Sequence, residues 1–365
     1  MISRRQFAGL LGAGAASAAL RSVPSAAAFT AIPEKEGVLR LNSNENPYGP
    51  PPAAFEAMRG AFDLVWRYPD EAADDLAGDL ARLHGVESSQ VLLGNGSSEI
   101  LKLCAAAFTG PGRPVTMADP TFEAIGRYAR AAGAEAVKIS LSADHRHDLE
   151  KMLEASRNAG LVYVCNPNNP TGTVTPGVRE FLARVPAGTM VLVDEAYHHY
   201  ADGDGYESMM PMAADHPNLI VARTFSKIYG MAGLRCGYAI GRSENLERLR
   251  FHQAWDGLNI HALAAARAAL RDDAYLELSR RRNRATRDWT VGELSSRGFR
   301  SIPSQANFLM TDLRQEAGPV IDALRQRQVH VGRRFLALPH HLRVTVGTRP
   351  QMERFLHALK EVLPG

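Results

Sequence analysis

Short apolar runs and longer periodic stretches alternate along this chain from residue 53 to residue 256. The runs at 91–93, 115–117, 161–165, 190–193 and 219–222 are continuously apolar or nearly so, and all but the last are followed within two residues by Gly, Asn or Asp. That is the pattern of strands buried on both faces. Between them, apolar residues recur at helical spacing over 53–62, 74–84, 98–108, 122–132, 148–158 and 245–256, as crossover helices do in a parallel sheet. An α/β domain with a parallel sheet is therefore expected. Beyond 256 the pattern changes to long basic helices at 262–271 and 273–297, then strand-like 307–310 and 342–346. This tail, joined by 31–55, reads as a smaller domain beside a larger one spanning 56–255.

Composition agrees with a folded chain. Of 365 residues, 45% are hydrophobic and 22% charged, enough to bury a large core and to exclude disorder as the general state. Forty-two basic and 39 acidic residues leave a net charge of +3. The one basic cluster, at 279–287, reads as a solvated helix face, so no nucleic-acid partner is expected. Cys104, Cys165 and Cys236 each lie inside an apolar segment and read as buried small hydrophobes.

The first residues change the picture. Met1-Ile-Ser-Arg4-Arg5-Gln-Phe7 precedes a Gly/Ala/Leu-rich stretch to Leu20 and then Pro24-Ser-Ala-Ala-Ala28, which resembles a twin-arginine export signal over 1–30. The expected destination is the periplasm, the alternative being a frayed extension on a cytoplasmic protein. No other run is long and apolar enough to span a bilayer, so no membrane association is expected once the signal is removed.

Ligand sites in open α/β sheets form at the carboxyl ends of the strands, and four of these exits are chemically loaded. Gly94-Asn95-Gly96-Ser97-Ser98-Glu99 opens a helix and offers free N–H groups to an anion; an ordinary Gly-rich turn is the plain alternative. Asn166-Pro167-Asn168-Asn169-Pro170-Thr171-Gly172 builds a rigid turn able to aim an amide. Asp194-Glu195-Ala196-Tyr197 places a carboxylate at a buried strand tip, where it needs a cation or strong donor to stay charged. Thr224-Phe225-Ser226-Lys227 brings an amine, with Arg235 following. Together the set suits pyridoxal 5′-phosphate, which needs a lysine, an acidic partner for its ring nitrogen, donors to its ring oxygen and a phosphate anchor.

Residues 166–172, 194–197 and 223–237 resemble the class I/II aminotransferases, and within them most resemble the histidinol-phosphate aminotransferase family. Leu41-Asn-Ser-Asn-Glu-Asn-Pro-Tyr-Gly49, Arg67-Tyr-Pro-Asp70, Ala306-Asn-Phe308 and Leu342-Arg-Val-Thr-Val-Gly347 extend the likeness from residue 38 to the C-terminus. The resemblance implies an aspartate-aminotransferase-like fold (PLP fold type I), with a mostly parallel sheet in the large domain and a smaller α+β domain. It implies that Lys227 bonds the cofactor as a Schiff base and later moves the substrate proton, that Asp194 pairs with the ring nitrogen, and that Tyr197 and Asn169 bond the ring oxygen. Phe122 would stack on the ring; Gly96, Ser97, Thr224, Ser226 and Arg235 would hold the phosphate. Tyr68 would reach the phosphate of a neighbouring subunit, making a homodimer with shared sites. Arg343 would bind the substrate carboxylate, with Asn44, Tyr48 and Arg333 as further substrate contacts.

The expected activity is amino transfer between an amino donor, histidinol-phosphate-like, aromatic or another amino acid, and a 2-oxo acid such as 2-oxoglutarate. Decarboxylation or racemisation on the same fold, and a non-catalytic exported binding protein, are the alternatives. The sequence departs from the family at Val331-Gly332-Arg333-Arg334, where an arginine pair follows Gly332, and in carrying an export signal. Three His pairs, His145/His147, His198/His199 and His340/His341, are not expected to bind metal; the first and last are expected to face solvent.

Overall fold

The computed structural model describes residues 37–363; the segment read as an export signal lies outside the described residues. In chain order the strands are β1 (Leu39–Leu41), β2 (Val91–Gly94), β3 (Val115–Asp119), β4 (Ala136–Ser140), β5 (Leu161–Cys165), β6 (Met190–Asp194), β7 (Leu219–Thr224), β8 (Gly237–Gly241), β9 (Arg300–Ile302), β10 (Phe308–Asp312), β11 (Val329–Val331) and β12 (His341–Thr345). Seven form one sheet in the order β2-β8-β7-β6-β5-β3-β4. Strands β3 to β7 pair in parallel, while β8 runs antiparallel to both β7 and β2.

β5, β6 and β7 are buried along their whole length, because helices cover both faces. Strict alternation divides their side chains. Val162, Val164, Val191, Val193 and Val221 enter one core with Ala54, Leu76 and Leu263. Leu161, Tyr163, Cys165, Leu192 and Ala222 enter the other, with the helix Ser97–Phe108. That parity places Tyr163, Cys165 and Asp194 on one face.

Two strands of this sheet escaped the periodicity reading. β4 is an edge strand with a half-polar pattern, and Lys138 on it pairs with Asp119 of β3 at 3.2 Å. β8 is a short apolar run between Gly237 and Gly241. Its antiparallel direction has a direct consequence for function: the chain leaves β7 and re-enters the sheet at the same end, so the whole loop 225–236 stays at the carboxyl ends of the parallel strands.

A separate core holds Leu39, Leu41, Leu309, Leu324, Val344, Phe355 and Leu359. It is built on the three-stranded antiparallel sheet β12-β10-β9 and the parallel pair β1-β11. The helix Ile260–Ala269, expected with the smaller domain, instead buries Ala262, Ala265, Ala266 and Ala269 in the core of the seven-stranded sheet. Its alanine face admits close approach to the helix Pro52–Gly60. The long helix Asp273–Ser296 runs from Tyr275, bonded to the Gly49 carbonyl, to Leu294 in the separate core.

Candidate active site

At the exit of β2, Gly96 takes φ +76° and precedes the helix Ser97–Phe108, whose first N–H groups no side chain caps. A Cβ on Gly96 would collide with the Arg235 guanidinium. Arg235 itself has φ +60°. Its Nη1 donates to Ser226 Oγ (3.2 Å) and to the Ala232 carbonyl (2.8 Å), and its Nη2 donates to the Asn95 carbonyl (3.3 Å). Thr224 Oγ1 accepts the Ser226 N–H at 3.1 Å. Helix terminus, hydroxyls and guanidinium thus converge on one spot suited to a phosphate.

The loop after β5 is fixed by Asn168, which donates to the Pro120 carbonyl (3.2 Å) and Thr171 Oγ1 (2.9 Å) and accepts from Thr121 Oγ1 (2.7 Å). With Asn168 anchored, Asn169 faces the cavity, its Nδ2 3.4 Å from Tyr197 Oη. Tyr197 Oη also accepts from Asn44 Nδ2 at 3.0 Å, and its ring meets Phe308 edge-on, centroids 5.1 Å apart. Burial raises the Tyr197 pKa, so the phenol stays protonated.

Asp194 is 3% exposed. Its Oδ2 accepts from Tyr163 Oη (2.8 Å) and its Oδ1 from the Ala196 N–H (3.1 Å). Burial pushes its pKa up to about 6, against the pull of these two donors and of Lys227. Lys227 Nζ donates to the carbonyls of Ser43 and Asn44, both at 3.2 Å. Burial, with Arg343 and Arg235, lowers its pKa to about 8 against the opposing pull of Glu45 and Asp194. Arg343, on β12, donates to Asn169 Oδ1 (2.8 Å) and the Asn42 carbonyl (2.9 Å); its Nε is buried without a partner.

These groups line one cavity of about 330 Å³, which Phe122, Ser97, Thr224 and Ser226 also line. Three of the sequence candidates lie elsewhere. Tyr68 is 76% exposed. Arg333 stacks on Phe335 and pairs with Glu123, next to Phe122, which satisfies the charge away from the cavity. Tyr48 is half-buried beneath the Arg282 guanidinium.

Other residues went unread. Tyr163 showed only as an aromatic in an aliphatic strand. Ser43 and Asn42 contribute backbone carbonyls, which no side-chain pattern reveals. Among the histidine pairs, His147 is buried and bonded to the Cys165 carbonyl at 2.9 Å, contrary to the solvent position expected of it. The His198 and His199 rings lie with centroids 4.0 Å apart. All three cysteines are free and buried.

Residues 36–359 match the family described as aminotransferase class I and II. The chain belongs to that family. Histidinol-phosphate aminotransferase of Symbiobacterium thermophilum is 42% identical over 330 residues, covering 89% of this chain and 91% of the relative. Among solved structures, histidinol-phosphate aminotransferase from Sinorhizobium meliloti in complex with pyridoxal-5′-phosphate is 29% identical with a TM-score of 0.84, covering 89% of this chain and 90% of that one. A double mutant of Thermus thermophilus aspartate aminotransferase, 24% identical with a TM-score of 0.76, shares the fold over 89% of this chain and 92% of its own. The chain is thus an aminotransferase of the histidinol-phosphate aminotransferase type, with the aspartate-aminotransferase-like fold and pyridoxal phosphate as cofactor.

The donor set fits that cofactor. An amine of lowered pKa, a buried carboxylate and a phenol-amide pair face a single cavity, and beside it Gly96 leaves the room that the Arg235 guanidinium takes.

Proposed function

We propose that this enzyme transfers an amino group from a histidinol-phosphate-like, aromatic or related amino donor to a 2-oxo acid such as 2-oxoglutarate. The observation that carries the proposal is the convergence of Lys227, Asp194 and Arg343 on one cavity. The donor class draws support from relatives named as histidinol-phosphate aminotransferases over nine-tenths of the chain.

Ser97, Gly96, Thr224, Ser226 and Arg235 would hold the cofactor phosphate, and Lys227 would bind the cofactor covalently. When bound, pyridoxal phosphate supplies an electron-withdrawing ring that accepts the electron pair left as the substrate Cα–H bond breaks. With the cofactor in place, Asp194 would stabilise positive charge on the ring nitrogen. Tyr197 and Asn169 would donate to the ring oxygen. Lys227 Nζ would take the proton from Cα and return it to the acceptor carbon. Arg343 grips the carboxylate common to both substrates with a planar fork that a lysine would not reproduce.

The test is a scan of amino donors against the loaded enzyme, following the visible band of the cofactor and the 2-oxo product. A donor that converts the band and yields a 2-oxo acid supports the proposal. Carbon dioxide release, or racemised substrate without a 2-oxo product, replaces it with decarboxylation or racemisation.

We also propose export to the periplasm through the twin-arginine motif, which carries folded proteins and so suits an enzyme loaded with cofactor before crossing. Arg4→Lys/Arg5→Lys should retain the protein in the cytoplasm; undiminished periplasmic protein would refute this.

A further inference from the structure

Asp194 ends β6 at a position directly opposite Cys165 of β5. One rung deeper on the same face, Tyr163 stands opposite Leu192. Its long side chain crosses the diagonal between the strands, a reach that aromatic residues have in a sheet, and delivers its hydroxyl to Asp194 Oδ2 at 2.8 Å. The other oxygen, Oδ1, takes the Ala196 N–H at 3.1 Å. The carboxylate is therefore fixed by one backbone and one side-chain donor on two different oxygens. Tyr163 is fully buried, in an aliphatic layer with Leu161, Leu192 and Ala222. A phenol is costly in such a layer unless its hydroxyl is satisfied. Packing alone would be served by phenylalanine.

We propose that Tyr163 is a positioning residue of the reaction, holding Asp194 ionised and in one orientation so that it can sustain positive charge on the cofactor ring nitrogen. This rests on the reading of Asp194 given above.

The physical reasoning is a competition. Burial drives Asp194 toward its neutral form, while a hydrogen bond donated to the carboxylate stabilises the ionised form. The Tyr163 pKa is raised well above its usual value by burial and by the neighbouring carboxylate, so the phenol remains a donor at every working pH. Without that donor, the carboxylate becomes more basic. Asp194 would then compete more strongly for a proton on the ring nitrogen of the bound cofactor, and the ring would lose electron-withdrawing power.

Tyr163→Phe in the cofactor-loaded enzyme removes one oxygen and little shape. Expected are a cofactor affinity lower by about tenfold, as for loss of one hydrogen bond to a charged group, and a kcat lower by a similar factor with KM nearly unchanged. The pH midpoint of the cofactor's visible band should move upward. In an Asp194→Asn background, Tyr163→Phe should add little, because the partner is already gone. Incorporation of 3-fluorotyrosine at Tyr163 keeps the side chain and strengthens the donor, so the midpoint should move downward; this arm also serves if Tyr163→Phe folds poorly.

A Tyr163→Phe enzyme with the wild-type midpoint and affinity overturns the proposal, as does a full additive effect on Asp194→Asn. If Asp194→Asn itself leaves affinity, midpoint and turnover unchanged, it is the assignment of Asp194 that fails.

Discussion

Lys227, with its amine lowered to about 8 by burial and by Arg343, is mostly protonated at neutral pH and mostly free one unit above 8. Cofactor uptake by the empty protein should therefore accelerate with pH and level off just above 8. Stopped-flow absorbance checks this; an uptake rate still climbing near the ordinary lysine pKa would contradict the burial argument. Lys227→Ala should leave the phosphate cradle intact and cut turnover by at least about 10²–10⁴-fold, the usual worth of a positioned proton-transfer group. Steady-state kcat measures it, and wild-type turnover would end the assignment. At this scale the sequence went far. Asp194 at a strand tip required a donor, and the structure supplies Tyr163 and the Ala196 N–H. Which residue would donate was not legible, because the phenol arrives from a neighbouring strand and strand pairing is not written in local spacing.

Elements explain why the anion cradle is narrow. Gly96 precedes the helix Ser97–Phe108 with a positive φ and the Arg235 guanidinium packed against it, and Gly237 at the start of β8 leaves no room for a Cβ beside the Ser97 N–H and Gly96 carbon. Gly96→Ala should displace Arg235, weakening cofactor affinity more than it weakens the fold. Affinity for pyridoxal phosphate compared with the urea midpoint of the empty protein separates the two. Equal affinity in variant and wild type would show that the cradle tolerates the shift. Strands β2, β3, β5, β6 and β7 and their crossovers were readable, since continuous aliphatic runs and helical periods are local signals. β4 and β8 were not: an edge strand tolerates polar residues, and glycines that permit close strand contact look like turn glycines. The helix Ile260–Ala269 was found, yet its partner was misjudged, because an alanine face fits any close neighbour.

For the molecule as a whole, buried and half-buried histidines decide the response to acid. Burial lowers His84 and His147 to about 4 and His199 to about 3, and lowers His198 as well. As pH falls below 6.5, the unfolded chain takes up protons at these positions and the folded chain does not, so stability is lost. Asp194, raised to about 6, works the other way between 6 and its unfolded value near 4. Four groups oppose one, and the cofactor-free protein should be less stable at pH 5 than at pH 7 by urea denaturation. Asp194→Asn should make the drop steeper; an unchanged slope would mean that Asp194 titrates normally.

The segment Phe62 to Tyr68 exposes Phe62, Leu64, Val65, Trp66 and Tyr68, with Trp66 at 75%, a larger apolar run than a monomer normally leaves in water. Covered by a second copy it would form the homodimer that the family resemblance implies. Trp66→Glu should then yield a monomer with weakened cofactor affinity by sedimentation and titration. A wild-type mass would place the interface elsewhere.

By itself the sequence determined the α/β architecture, the cofactor class and the residues at the four strand exits, because period, turn chemistry and motif order are properties of neighbouring residues. Only the tertiary structure decided that Tyr163 serves Asp194, that Ser43 and Asn44 hold Lys227, and that Arg343 meets Asn169 while Arg333 turns to Glu123. Those pairings join residues far apart in the chain, and their geometry is set by strand register and core packing, which no local pattern encodes.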